Sequence, residues 1–304
     1  MTIRTPIKLH NTIDPVHVLG ATGRIGQAVC RQLLASGVEV VPLVRDPDRW
    51  NALGIPAKPR LANLMDDYAL RIALADASRL LCCVSPHHLS TILASTNPDV
   101  LLVIMGDARR YLREPDIAGL TAMEGERMLL GSGRPGVILH PSMIYGLSSG
   151  DPVRHWAGLL RMLPLLPLPN SGDTFIQPIA MDDVVRCALA ALDRNWPVAD
   201  VVAIAGPEPV TVEDFLMEIA SCAGVRMPYT MPMPRGLIRF LSPFSAAIPS
   251  LRLAAQDDLY NLDEDRIVDI SRMISELGVA PMSLREGIAP LFRANSGSGA
   301  PRRW

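Results

Sequence analysis

Gly20, Gly23 and Gly26 stand at a GxxGxxG spacing in the run GATGRIG, directly after the apolar VHVL. At the junction of a strand and a helix, such glycines hold phosphate: the first permits a tight turn, the second lets backbone approach a pyrophosphate, and the third lets the helix lie close to the sheet. The helix N-terminus then offers free N–H groups to the anion. The whole loop, Gly20, Ala21, Thr22, Gly23, Arg24, Ile25 and Gly26, is therefore a candidate dinucleotide cradle. Arg24 either adds positive charge at the phosphates or is a solvated first-turn arginine.

The residue that follows the second strand decides which dinucleotide fits. An NAD site places a carboxylate there, about 20 residues beyond the glycines, to accept hydrogen bonds from the ribose hydroxyls. Here VEVVPLV runs into LVRDP, and the first polar side chain is Arg45. A guanidinium pairs with a 2'-phosphate and stacks on adenine, so NADP(H) is favoured over NAD(H). Asp46 comes next, either as a ribose ligand or as the cap of the following turn.

The elements that must position this loop are legible from apolar patterning. PVHVLG, the helical stretch Arg24–Ser36, VEVVPLV and a helix around Asp66–Asp76 give β-α-β-α order, with Gly37 placed as a C-terminal helix cap. RLLCCV and DVLLVIMG add strands that are apolar on both faces, which predicts a parallel sheet covered by helices. A helix over Asp116–Ser132 and the strand GVILH complete an α/β, doubly wound Rossmann domain at residues 1–150. Residues 151–292 are expected to form a smaller C-terminal α+β domain for substrate or partner, with about 174–205 returning to the first. LPLLPLPN is expected to keep 151–173 a loop. Helices are predicted at Met181–Leu192, at Val212–Ala223 with Thr211 as cap, and at about 266–292, and residues 293–304 should be a disordered tail.

Composition narrows the partners. The 304 residues are 49% hydrophobic with a formal net charge of -2, a profile for a large core and none for nucleic acid. Five cysteines without a CxxC pair read as buried free thiols, and no apolar run suits a signal peptide or a membrane span, so a cytoplasmic protein is expected. His87 and His88 are adjacent but lack a third ligand at a metal-site spacing, so no metal is expected.

Together, GATGRIG and LVRDP resemble the opening of atypical and extended short-chain dehydrogenase/reductases. LANLMDD resembles that family's adenine-contacting glycine-aspartate-leucine, with Asn63 in place of the aspartate and Leu64 as the leucine. HPSMIYG resembles its arginine-proline-x-x-x-tyrosine-glycine, with His140 for the arginine. QPIAMDDVVRCAL, IAGPEPVTVEDF and LGVAPMSLREGI resemble its later segments, so the likeness spans about residues 15–292. Ser85 and Pro86, after the fourth strand, are further candidates to line the cofactor. The branch with NmrA-like regulators and the NADPH-binding accessory subunit of respiratory complex I is the most similar.

That resemblance implies a catalytic tyrosine with a lysine four residues on, because a phenol titrating near about 10 needs a nearby cation to exchange its proton. Neither is present. Tyr68, Tyr111, Tyr145, Tyr229 and Tyr260 are followed at that distance by Ile72, Pro115, Ser149, Met233 and Glu264, and the only lysines are Lys8 and Lys58. Asp107, Tyr111 beside Arg109 and Arg110, His140 and Tyr145 are the substitute candidates, with the arginines expected to lower the phenol's pKa. Two functions follow: an NADP(H)-dependent oxidoreductase or epimerase-like enzyme acting on a small molecule, or a non-catalytic NADPH-binding structural or sensor module that acts through a protein partner. Met231–Leu251, apolar without a helical period, would be a lid in the first case and a docking surface in the second.

Overall fold

The structure is a computed structural model that describes residues 14–146, 150–168, 172–232 and 264–293. The stretch Met231–Leu251 beyond Pro232, and the tail from residue 294, lie outside the described residues.

Seven strands form one parallel sheet: β1 (Val16–Leu19), β2 (Val40–Val44), β3 (Arg60–Leu61), β4 (Arg79–Cys82), β5 (Leu101–Met105), β6 (Gly136–Pro141) and β7 (Asp200–Ile204), in the order β7-β6-β5-β4-β1-β2-β3. β1 sits between β2 and β4, with Val16 opposite both Val40 and Arg79. The chain order reverses at that strand, and this leaves a crevice at the carboxyl ends of β1 and β4. The helices are α1 (Arg24–Ala35), α2 (Pro47–Asn51), α3 (Asp67–Ala73), α4 (Leu89–Ser95), α5 (Ile117–Gly131), α6 (Pro152–Met162), α7 (Met181–Asp193), α8 (Val212–Ala223), α9 (Ser271–Leu277) and α10 (Leu284–Arg293). Leu19, Leu43, Leu80, Leu102 and Ile138 pack on Leu70 of α3 and on Leu89 and Ile92 of α4. The alternate strand residues Val16, Val18, Leu81 and Val103 are equally buried and face the opposite layer, where α1 and α7 pack. The strands read as apolar on both faces because both faces are covered. Gly37, at φ 80, ends α1 as the left-handed residue.

The chain divides into two compact units. The first comprises Met1–Ile144, Met181–Ala205 and Val268–Pro281; the second comprises Tyr145–Ala180, Gly206–Ile267 and Met282–Trp304. The second is α+β. It holds α6, α8 and α10 with two small sheets, Leu165–Leu168 parallel to Tyr229–Pro232 and Phe175–Ile176 antiparallel to Val210–Thr211.

Two expectations need correction. Residues 151–173 are not a loop: Asp151 caps α6 by accepting the Val153 N–H at 3.0 Å, with Pro152 at the first helical position. The stripe Val153, Trp156, Ala157 and Leu160 is buried. The prolines that suggested helix breaking come after the helix, where they stop it without disrupting it. The predicted helix over 266–292 is two helices, because Gly278 takes the left-handed conformation at φ 64 and ends α9. α9 falls in the first unit and α10 in the second.

Candidate functional site

The β1–α1 turn is built as a phosphate cradle requires. Gly20 has φ 79, and a Cβ there would stand 2.9 Å from the Cys83 carbonyl oxygen, so the turn lies against the end of β4. A Cβ on Gly26 would stand 2.4 Å from the Gly20 carbonyl oxygen, which fixes how closely α1 meets its own entry loop. Gly23 is the N-cap of α1; it brings no capping side chain, and the first turn holds no acidic residue. The positive end of a twelve-residue helix is thus left to an anion.

Beyond β2, Arg45 is exposed. The Asp46 carboxylate accepts the N–H groups of Asp48 at 3.0 Å and Arg49 at 3.1 Å, capping α2. Of its two sequence roles, the structure shows the cap. Asn63 is exposed and accepts the Met65 N–H at 3.1 Å, while Leu64 packs on the core.

After β4, Ser85 and Pro86 open a short 3-10 turn, and Pro86 packs against α5 where a Cβ on Gly125 would come within 2.6 Å. These elements enclose a cavity of about 620 Å³ lined by Ile25, Cys83–Pro86, Met105–Asp107, Arg109, Asp116–Ala118 and Thr121. Ile25, in the first turn of α1, and the ends of β4 and β5 share this cavity. Arg45, Asn63 and Leu64 do not line it; they stand past the ends of β2 and β3.

Asp107 caps the 3-10 turn Ala108–Tyr111 and accepts from Arg109 Nη2 at 2.8 Å and Nε at 3.0 Å. Arg109 also reaches Asp116 at 3.0 Å. Partial burial opposes the charge on Asp116, but the Gly119 N–H and Arg109 outweigh it and hold the carboxyl below its ordinary range. Burial pushes the Tyr111 phenol above its ordinary value even though the Arg110 guanidinium lies 4.6 Å from the ring centroid. The expected lowering by a cationic neighbour therefore does not occur: desolvation of the phenolate is the larger effect.

His140 is wholly buried. Its Nδ1 accepts the Asp107 N–H at 3.0 Å, and its Nε2 lies 3.2 Å from Glu126 Oε2. The Tyr111 ring meets it edge-on at 5.7 Å between centroids. Tyr145 belongs to the second unit, 1% exposed, where its ring fills the space beside Gly287; a Cβ on Gly287 would stand 2.1 Å from the phenol oxygen. Of the four substitute candidates, then, Asp107, Tyr111 and His140 are neighbours, and Tyr145 packs elsewhere.

Burial pushes the Cys30 and Cys82 thiols up to about 12 and Cys83 well above its ordinary value, so none is poised as a thiolate. Among the described residues no three His, Cys, Asp or Glu side chains gather as a metal site. No helix among them is long and apolar enough to cross a membrane. Sequence reasoning missed the α5 wall, Ile117, Ala118 and Thr121, and the inward Glu126. Glu126 had a signal: it falls between the apolar Ala122 and Leu129 at helical spacing, both of which are buried.

Residues 20–108 match a family described as NAD(P)H-binding. Over that stretch the chain is similar to the NAD(P)H-binding family, and the match covers the glycine loop, Arg45, Ser85–Pro86 and the end of β5. A 3-diazoavenalumate denitrifying reductase from a Streptomyces species is 27% identical over 258 residues, 71% of this chain and 84% of that protein. An NADPH-dependent quinone oxidoreductase from Escherichia coli, crystallised with NADPH, superposes with a TM-score of 0.71 at 19% identity, covering 91% of this chain and 99% of that one. A triphenylmethane reductase from a Citrobacter species superposes with a TM-score of 0.72 at 15% identity, covering 92% of this chain and 99% of that one. The likeness to these structures shows a shared fold.

Proposed function

We propose that the protein is an NADPH-dependent reductase of a small organic molecule. The observation that carries this reading is the cavity that Ile25, in the first turn of α1, shares with the ends of β4 and β5, next to a glycine turn shaped for phosphate. The residues fit a dinucleotide: Gly20–Gly26 and the α1 N-terminus would hold the pyrophosphate, Arg45 the 2'-phosphate, Asn63 and Leu64 the adenine, and Ser85 and Pro86 the neighbouring wall. The bound nicotinamide would supply the hydride. Met105, Gly106, Ala118 and Thr121 offer an acceptor a wall of small and apolar groups, and Asp107 presents a carboxylate tied to Arg109.

The reductase name of the Streptomyces relative supports reduction over epimerisation. The sequence has no tyrosine–lysine pair to deliver a proton, which favours acceptors that take a hydride without one from the protein. The same missing pair supports a second reading, a nucleotide-binding module that signals to a protein partner. Nicotinamide absorbance separates the two when the purified full chain is mixed with NADPH and a panel of quinones, triarylmethane dyes and aldehydes. Saturable NADPH oxidation with at least one acceptor is expected; tight binding with no oxidation by any of them would favour the module.

A further inference from the structure

We propose that His140, with its Nε2 edge against Glu126, is a positioning residue whose Nδ1 edge holds the β5 corner of the nucleotide cavity in shape; this rests on the nucleotide-binding reading above. Neither residue lines the cavity, so both act through others.

His140 is buried and partnered at both ring nitrogens. His140 Nδ1 accepts the Asp107 N–H at 3.0 Å, and Nε2 faces Glu126 Oε2 at 3.2 Å. With one ring nitrogen accepting and the other facing a carboxylate, the ring's proton sits on Nε2. Arg110 pairs with Glu126, donating from Nη2 to Oε1 at 2.9 Å, with Nε at 2.9 Å from Oε2. Tyr111 covers the open edge of the ring. Beneath, a Cβ on Gly106 would stand 2.3 Å from His140 Nδ1, so the imidazole occupies the space that any other residue at 106 would need.

This arrangement sets two walls of the cavity. The Asp107 N–H fixed by His140 belongs to the residue whose carboxylate grips Arg109, and Arg109 reaches on to Asp116, the N-cap of α5. Glu126, on the same helix, ties α5 back to β6. One imidazole therefore fixes both the end of β5 and the start of α5, and its two edges do different work. The Nδ1 edge sets the cavity, and the Nε2 edge anchors the helix.

Two substitutions separate those edges. An asparagine amide oxygen can stand near the place of Nδ1, and a glutamine amide nitrogen near that of Nε2. In the full chain, calorimetric titration should find the NADPH Kd of His140→Asn within about threefold of wild type. That of His140→Gln should be about tenfold weaker or more, while the two variants lose similar Tm. Equal weakening in both, or in neither, would overturn the proposal by making His140 a packing residue only.

Nitrogen-15 spectra of histidine-labelled wild type, assigned by the signal lost in His140→Asn, provide a readout that needs no nucleotide and survives poor folding of the glutamine variant. They should show the proton on Nε2 at neutral pH; a proton on Nδ1, or a mixture of tautomers, would also overturn the pair. Failure of wild type to bind NADPH would sink the reductase reading and the cavity role together, while these spectra would still decide whether the pair itself is as described.

Discussion

Arg45 and Asp46 are neighbours in the chain with opposite commitments. Asp46 turns to the N–H groups of Asp48 and Arg49 and is occupied as a helix cap, whereas Arg45 is exposed past the sheet. Replacing Asp46 with alanine should cost about 1 kcal/mol of unfolding free energy, as lost caps do. It should leave the NADPH Kd within about twofold; a large loss of affinity would instead place that carboxylate on the nucleotide. The glycine loop was legible in the sequence because glycine spacing states a backbone need directly, and Gly20 and Gly26 meet that need through φ and close approach. Asp46 was not, because capping and ribose binding ask for the same side chain and differ only in where it turns. Tyr111 was misjudged for a related reason: the sequence shows adjacent arginines but not the burial that outweighs them.

At the scale of elements, α5 carries glycines with opposite prospects. A Cβ at Gly119 would come within 2.6 Å of the Arg109 carbonyl oxygen, and one at Gly125 within 2.6 Å of Pro86, whereas Gly131 at the helix end has nothing within 4 Å. Gly131→Ala should raise stability by about 0.5 kcal/mol through reduced unfolded-chain freedom. Gly119→Ala and Gly125→Ala should each lower it by about 1–3 kcal/mol through overpacking. Denaturant unfolding of the three variants checks the contrast, and a gain at Gly119 or Gly125 would show that the α5 wall is loose. The sheet and its helices were readable because strands buried on both faces have no polar alternation, and because Thr211 and Gly37 mark helix ends. α6 was missed because the prolines near it were counted without noting that Asp151–Pro152 begins a helix and the later prolines end one. The separation of α9 from α10 turned on one left-handed glycine, Gly278.

Across the whole molecule, acid sensitivity has a local origin in the first unit. His17 is buried in β1 with Nε2 3.3 Å from Asp76, and Arg60 pairs with the same carboxylate. Burial lowers the His17 pKa below its ordinary 6.5 despite Asp76, so the folded state keeps the ring neutral where the unfolded chain protonates it. Its contribution is therefore complete above about pH 6.5 and is lost as pH falls toward the folded value. The Arg60 pairing holds the Asp76 carboxyl well below its usual range, and that contribution is lost at still lower pH, in the same direction. The Tm should fall between about pH 7 and about pH 5, and His17→Gln should flatten that part of the curve. A Tm that rises on acidification would contradict the assignment.

The order of segments was less legible at this scale than the elements were. Residues 268–281, expected in the second domain, join the first unit from a distant part of the chain, and long-range pairings such as Arg272 with Asp200 leave no local pattern. The central claim concerns the nucleotide. Calorimetric titration of the nucleotide-free full chain with NADPH and NADH, repeated on Arg45→Ala, tests it most directly. NADPH should bind more tightly than NADH, and the variant should lose about tenfold or more for NADPH with NADH little changed. Failure of the wild-type chain to bind either nucleotide would contradict that claim.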